Sequence, residues 1–248
     1  MHLVAINASS VSVALRQLSK KDRVRLAVSL HRSKHSLVDT MPKYKLTYFQ
    51  APARAEVIRL TLVAGGADWE DKRLSFEEWG PMSEKATSGT PFRFPWLPHL
   101  EVAGENIVIS QSLPTLRFVA RRFGLDGGTD AEKVMVESII EIYSDLFNAY
   151  VPLMFASEPA ELVKKFKETM QKSGSFLEII LKNNKSSGYL VGKKLTVADI
   201  AIYSVVREAS KVLAEKAKAS VDWNKLPLLK AHHEKIAKEP KIHSYYSK

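Results

Sequence analysis

The feature that most constrains this chain is a change of hydrophobic period partway along it. Tyr44, Leu46 and Tyr48 alternate with Lys45 and Thr47, a period of two that predicts a strand. Residues 54 to 64 predict a helix with Ala55, Ile58 and Leu62 on one face and Gly65-Gly66 as its stop. Residues 69 to 74 predict a second strand. Residues 75 to 97 contain Pro81, Gly89, Pro91 and Pro95, keep no period, and read as irregular. A third strand follows from Leu97-Pro98 to Val102, a turn over residues 103 to 106, and a fourth strand over Ile107-Val108-Ile109. Ser112 is expected to cap a helix running to Arg122, with Pro114 in its first turn and Gly124 as its stop. Beyond Asp130 only the helical period remains, over roughly residues 130–156, 160–184, 196–217 and 227–238.

The order β-α-β then β-β-α, with Pro98 at the head of the third strand, is thioredoxin-like. The expected fold class is therefore α/β plus all-α: a thioredoxin-like N-terminal domain over residues 41–124, then an all-helical C-terminal domain over residues 130–248. Leu125-Asp126-Gly127-Gly128-Thr129 reads as the linker. Thr196 followed by Asp199 has the spacing of a capping box.

Composition narrows the function classes. There are no cysteines, which excludes a disulfide framework, thiolate metal sites and a cysteine nucleophile. No apolar run is long enough to span a membrane. The net charge of +10 invites a nucleic-acid reading, but half of it lies in residues 1–40, with seven Lys/Arg against two acids. The remaining residues carry 30 basic and 25 acidic groups with signs interspersed, and no recognition helix or aromatic-basic platform accompanies them. No nucleic-acid partner is expected. Residues 1–40 are basic and Ser-rich and read as a disordered extension; an organelle transit peptide is the alternative. The expected location is cytoplasmic, or mitochondrial if that alternative holds. Asn7-Ala8-Ser9 and Asn184-Lys185-Ser186 match the glycosylation triplet, a pattern common by chance.

Met41-Pro42-Lys43-Tyr44-Lys45-Leu46-Thr47-Tyr48-Phe49, followed by Ala53-Arg54-Ala55-Glu56, closely resembles the opening of sigma-class glutathione transferases. That group includes the glutathione-dependent prostaglandin D synthases. The likeness continues through Trp79, the strand from Pro98 to Gly104, Gln111-Ser112, Gly188-Tyr189-Leu190-Val191-Gly192 and the Thr196/Asp199 pair, and so spans residues 41–248.

The resemblance implies a homodimeric enzyme with glutathione as co-substrate, no permanently bound cofactor, and a small hydrophobic electrophile as second substrate. Peroxidase and prostaglandin isomerase activities are further expectations. A non-catalytic, glutathione-binding or crystallin-like relative is the alternative. Tyr48 would activate the thiol as a hydrogen-bond donor, and Arg54 would support it. Leu97 and cis-Pro98 would pair with the tripeptide backbone, Gln111 and Ser112 would hold its γ-glutamyl end, and Trp79 its glycyl end. Asp145 would reach the partner subunit's glutathione. Phe49, Arg54, Tyr150, Pro152 and Tyr203 are candidates for the second-substrate wall. Some family members bind a cation on the helix that carries Glu141 and Asp145, but Ser144 stands here at one ligand position, so no metal is expected. The stretch between Trp79 and Pro98 is longer than in the family. Ser83 stands where a lysine is usual, leaving Lys85 or Arg93 as its substitutes, and Trp96 is also a departure.

Overall fold

The computed structural model describes residues 43–86, 96–184 and 187–247, together with Ser19 and Phe94. The expectations for residues 1–40, Arg93 and the side chains of Ser83 and Lys85 fall outside what is described, Ser19 apart.

Strand β1 (Tyr44–Phe49) is central in a four-stranded sheet of order β2-β1-β3-β4. It pairs in parallel with β2 (Trp69–Leu74) and antiparallel with β3 (His99–Val102), which pairs antiparallel with β4 (Ile107–Ser110). A parallel neighbour requires a crossover, supplied here by helix α1 (Ala53–Gly65). The α1 stop works through both glycines. Gly66, at φ +72°, returns its N–H to the carbonyls of Leu62 and Val63, while a Cβ on Gly65 would meet the Phe123 ring at 2.4 Å.

Two departures from the sequence expectation occur in this half. Residues 76 to 86 are helical (α2, Phe76–Ala86), not irregular. The Ser75 hydroxyl accepts the Glu78 N–H (3.1 Å) and the Glu78 carboxylate accepts the Ser75 N–H (2.7 Å), a reciprocal cap that starts the helix despite Pro81 further along. Helix α3 (Ser112–Arg122) begins on Gln111 as N-cap, with Ser112 its first helical residue, so Ser112 is not the cap. Gly124 follows at φ +64°.

The helical half contains α4 (Asp130–Phe155), α5 (Ala160–Asn183), α6 (Val197–Ala217), a 3-10 turn (Trp223–Lys225), α7 (Pro227–Ala237) and a short terminal helix α8 (Pro240–Tyr246). The four long helices match the expected spans; α8 was not expected. Asp199, fully buried at the head of α6, accepts from the Thr196 N–H (2.8 Å), the Thr196 hydroxyl and the Leu190 N–H, and lies 2.9 Å from His232 Nε2. The Asn184 amide nitrogen is directed at Ser187 Oγ and the carbonyls of Tyr189 and Gly192, which gives that asparagine a structural use.

One continuous core joins the two halves. Helix α1 lies at the seam, packed against α3 on one side and against α6 and α8 on the other. Among the described residues no helix is long and apolar enough to cross a membrane.

Candidate active site

The sheet register gathers the candidate residues at one end. Thr47 is opposite His99 and His99 is opposite Ser110, so the next step in each strand places Tyr48, Pro98 and Gln111 side by side. Phe49 pairs with Leu74, and β2 then leads through Ser75 into the helix that carries Trp79. This is the carboxyl end of the parallel pair β1/β2, where open α/β sheets bind ligands because loops and helix N-termini converge there. Here three helices, α1, α2 and α3, begin at it.

The bond between Leu97 and Pro98 is cis. Leu97 is half-buried and Pro98 buried. His99, immediately after, is fully buried; its Nδ1 is 2.9 Å from Ser110 Oγ, which ties the head of β3 to the end of β4 beside Gln111. Burial lowers the His99 pKa to about 4, so the ring is neutral at neutral pH. The half-buried indole of Trp79 lies 5.9 Å from this ring. Gln111 adopts φ +76°, its carbonyl accepting the Thr115 hydroxyl (2.7 Å), and the buried Ser112 opens α3. A hydroxyl at the first position of an 11-residue helix is suited to a carboxylate, since the N-terminal N–H groups lack intrahelical partners.

Tyr48 is 7% exposed. Burial raises its phenol above the usual 10. The Arg54 backbone N–H and the charges of Arg54 and Arg59 pull it back, but burial prevails. At neutral pH this phenol is a hydrogen-bond donor. Arg54 is exposed in the first turn of α1, its guanidinium 4.9 Å from the ring centre of Phe147 on α4, so it bridges the two halves. Tyr143 and Tyr150, both buried on α4, lie within electrostatic reach of Tyr48, and burial raises both of their phenols.

The candidate second-substrate residues are only partly assembled. Phe49 packs on Tyr48 (5.3 Å) and on Phe76 (4.6 Å). Tyr150 sets its edge against Phe147 at 5.5 Å. Pro152 is exposed in the last turn of α4. Tyr203 packs elsewhere, its ring 4.7 Å from His233 and 6.4 Å from Tyr246. Asp145 is exposed on α4 and borders a groove of about 660 Å³ shared with α5. Glu141, one turn earlier, is occupied by Arg117 at 2.7 Å. Among the described residues no three His, Cys, Asp or Glu side chains are grouped to hold a metal.

Sequence reasoning missed Arg59. It is fully buried and belongs to the same α1 face as Ala55 and Leu62, so a charge on the apolar face was the available signal. Tyr143, four residues before Phe147 on α4, was missed too; on a long apolar helix an aromatic gives no signal of its own.

Known proteins share this fold and sequence. The family model described as glutathione S-transferase, C-terminal domain, matches residues 144–248. Glutathione S-transferase 4 of Caenorhabditis elegans is 36% identical over 212 residues, which cover 83% of this chain and 96% of the relative. S-crystallin SL11 of Nototodarus sloanii is 28% identical over 212 residues, 84% of this chain and 97% of the relative. The crystal structure of monomeric Na-GST-3, a glutathione S-transferase from the hookworm Necator americanus, superposes with a TM-score of 0.69 at 34% identity, covering 82% of this chain and 96% of that one. With a thioredoxin-like half, a helical bundle behind it and relatives of this identity along nearly their whole length, the chain belongs to the glutathione S-transferase family and is a glutathione-conjugating enzyme with glutathione as co-substrate.

Proposed function

We propose that this enzyme is of the sigma type and that Tyr48 activates glutathione by donating a hydrogen bond to its thiolate. The observation that carries this reading is the buried, protonated phenol of Tyr48 at the sheet end shared with cis-Pro98 and Gln111. A free thiol with a pKa of about 8.5 is only roughly 3% ionised at pH 7. A hydrogen bond to a charged group contributes about 1.5–3 kcal/mol, which lowers that pKa by about one to two units and makes thiolate a major species. The proton leaves to solvent. The sulfur then gives an electron pair to the electrophilic carbon, forming the S–C bond as the leaving group departs with its own pair.

The tripeptide is assigned to the Leu97 backbone beside Pro98, with Gln111 and Ser112 at its γ-glutamyl end and Trp79 at its glycyl end. Phe49, Arg54, Tyr150 and Pro152 are assigned to the second-substrate wall, for small hydrophobic electrophiles, peroxides and prostaglandin endoperoxides; Tyr203, packed against His233 and Tyr246, is left out of it. The same reading makes the enzyme a cytoplasmic homodimer in which Asp145 reaches the partner subunit's glutathione; sedimentation as a monomer at micromolar concentration would overturn that part. The central test is Tyr48→Phe. The bound thiol's pKa, read by thiolate absorbance, should rise by about one to two units, and kcat/KM for a chlorodinitrobenzene-type electrophile at pH 6.5 should fall about 10- to 100-fold. A folded Tyr48→Phe protein that binds glutathione with an unchanged thiol pKa sinks the assignment.

A further inference from the structure

Arg59 is fully buried near the site and its guanidinium is engaged by protein groups on several sides. Its Nε is 3.1 Å from both carboxylate oxygens of Asp71 on β2. Its Nη1 donates to the carbonyls of Ala51 (2.9 Å) and Pro52 (3.3 Å) and to Glu56 Oε2 (3.2 Å). Its Nη2 has no hydrogen-bond partner among the described residues, and its guanidinium carbon lies 5.9 Å from the ring centre of Tyr48. Burying an arginine completely costs several kcal/mol of desolvation unless the partners are close and well directed. A single apolar side chain could fill the same place, so the bonds it makes are the feature that needs an account.

Those bonds hold the turn between β1 and α1. The two carbonyls that Arg59 grips, Ala51 and Pro52, precede Ala53, a non-glycine residue at φ +34°. A backbone in that region persists only where its surroundings over-determine it. The turn so held leads directly into Arg54, the second residue of α1, and Arg59 itself lies against the Tyr48 ring, 5.9 Å from its centre. On the other side, Glu56 Oε1 accepts the Tyr246 hydroxyl from α8 at 2.9 Å, and Arg207 of α6 stacks on the Tyr246 ring at 3.4 Å. This seam opens as a cleft of about 580 Å³, but its charges are already matched, Arg73 with Asp71 and both Arg207 and Lys211 with Glu208. It is a joint, not a ligand site.

We propose that Arg59 is a positioning residue for the active tyrosine: by clamping Ala51 and Pro52 while lying against the Tyr48 ring it fixes that ring relative to the turn into α1, and through Glu56 it ties the turn to Tyr246 of the terminal helix. The proposal rests on the assignment of Tyr48 as thiol activator. It makes the C-terminal helix part of the machinery that sets the thiol's acidity.

The test is a double-mutant cycle on the full chain, read by the pKa of the bound glutathione thiol and by the pH profile of kcat/KM. Tyr246→Phe removes one hydroxyl and keeps the ring under Arg207. Alone, it should raise the bound thiol's pKa by about half a unit and lower kcat/KM about threefold at pH 6.5, with the loss vanishing above pH 9. Arg59→Lys should shift the same pKa by about one unit. In a Tyr48→Phe background Tyr246→Phe should add nothing, since its route to sulfur is gone. A purely structural role would lower the unfolding temperature of Tyr246→Phe and leave the thiol pKa in place, and that result overturns the proposal. If Arg59→Lys fails to fold, the Tyr246→Phe arm alone decides. A Tyr48→Phe protein with an unchanged thiol pKa overturns the Tyr48 assignment and this proposal together. A shift for Tyr48→Phe and none for Tyr246→Phe overturns only the clamp.

Discussion

Alanine has no side-chain group with which to stabilise a left-handed backbone, yet Ala53 adopts φ +34° between the clamped carbonyl of Pro52 and the N–H of Arg54. Among the described residues four that are not glycine have a positive φ, and two of them, Ala53 and Gln111, stand at the sheet end that carries the site. Strain of this kind costs about 1–2 kcal/mol for an L-residue, against about 0.5–1 kcal/mol of extra unfolded-state entropy for glycine. Ala53→Gly should therefore stabilise the protein by about 0.5–1 kcal/mol, read as a higher urea midpoint with an unchanged slope. A lower midpoint would mean that this backbone is unstrained. At this scale the sequence was legible where a residue type carries its chemistry openly. Tyr48 and Arg54 could be named from their neighbours. Arg59 was passed over, although it falls on the face of Ala55 and Leu62, because an arginine in an amphipathic helix reads by default as solvated. Ala53 gives no turn signal at all.

Elements were legible in proportion to the length of their period. The four long helices and β1, with its buried Tyr44, Leu46 and Tyr48, follow patterns sustained over many residues. Helix α2 was hidden because Gly80-Pro81 breaks the hydrophobic count, although Ser75-x-x-Glu78 was a readable start signal. Helix α8 was hidden because seven residues make barely two turns, and its stability comes from packing on α1, which no local pattern records. The cap on α2 bears on function because this helix carries Trp79 beside His99. Replacing an N-cap serine by alanine costs about 1 kcal/mol, which falls on the local helix. If Trp79 holds the glycyl end, Ser75→Ala should raise the glutathione KM by about threefold to tenfold and leave kcat and the bound thiol's pKa nearly unchanged. Steady-state kinetics with varied glutathione checks this; a fall in kcat at constant KM would place Trp79 outside the binding site.

For the whole molecule, the two halves share one core, and α1 touches α3, α6 and α8, so disruption on either side is felt across the seam. Each half also holds a histidine that its surroundings keep neutral, His99 fully buried and His233 half-buried. His99 sits behind cis-Pro98, and His233 lies between the rings of Tyr203 (4.7 Å) and Trp223 (5.7 Å); burial lowers both to about 4. An unfolded histidine titrates near 6.5. Between these values the unfolded chain takes up protons that the folded protein refuses, so stability is complete above about pH 6.5 and is lost as pH falls towards 4. The slope is about 1.4 kcal/mol per pH unit for each histidine. His233→Phe keeps the ring contacts and removes one titration, so it should roughly halve that slope while changing stability little at pH 7.5. Urea unfolding at pH 7.5, 6.0 and 5.0 is the measurement, followed by tryptophan fluorescence and far-UV circular dichroism. Because three of the four tryptophans (Trp69, Trp79, Trp96) precede the linker and Trp223 follows it, coincident transitions at each pH would show both halves failing together. A wild-type stability that stays flat from pH 6.5 to 5.0 would mean that one or both rings open to water before the fold does.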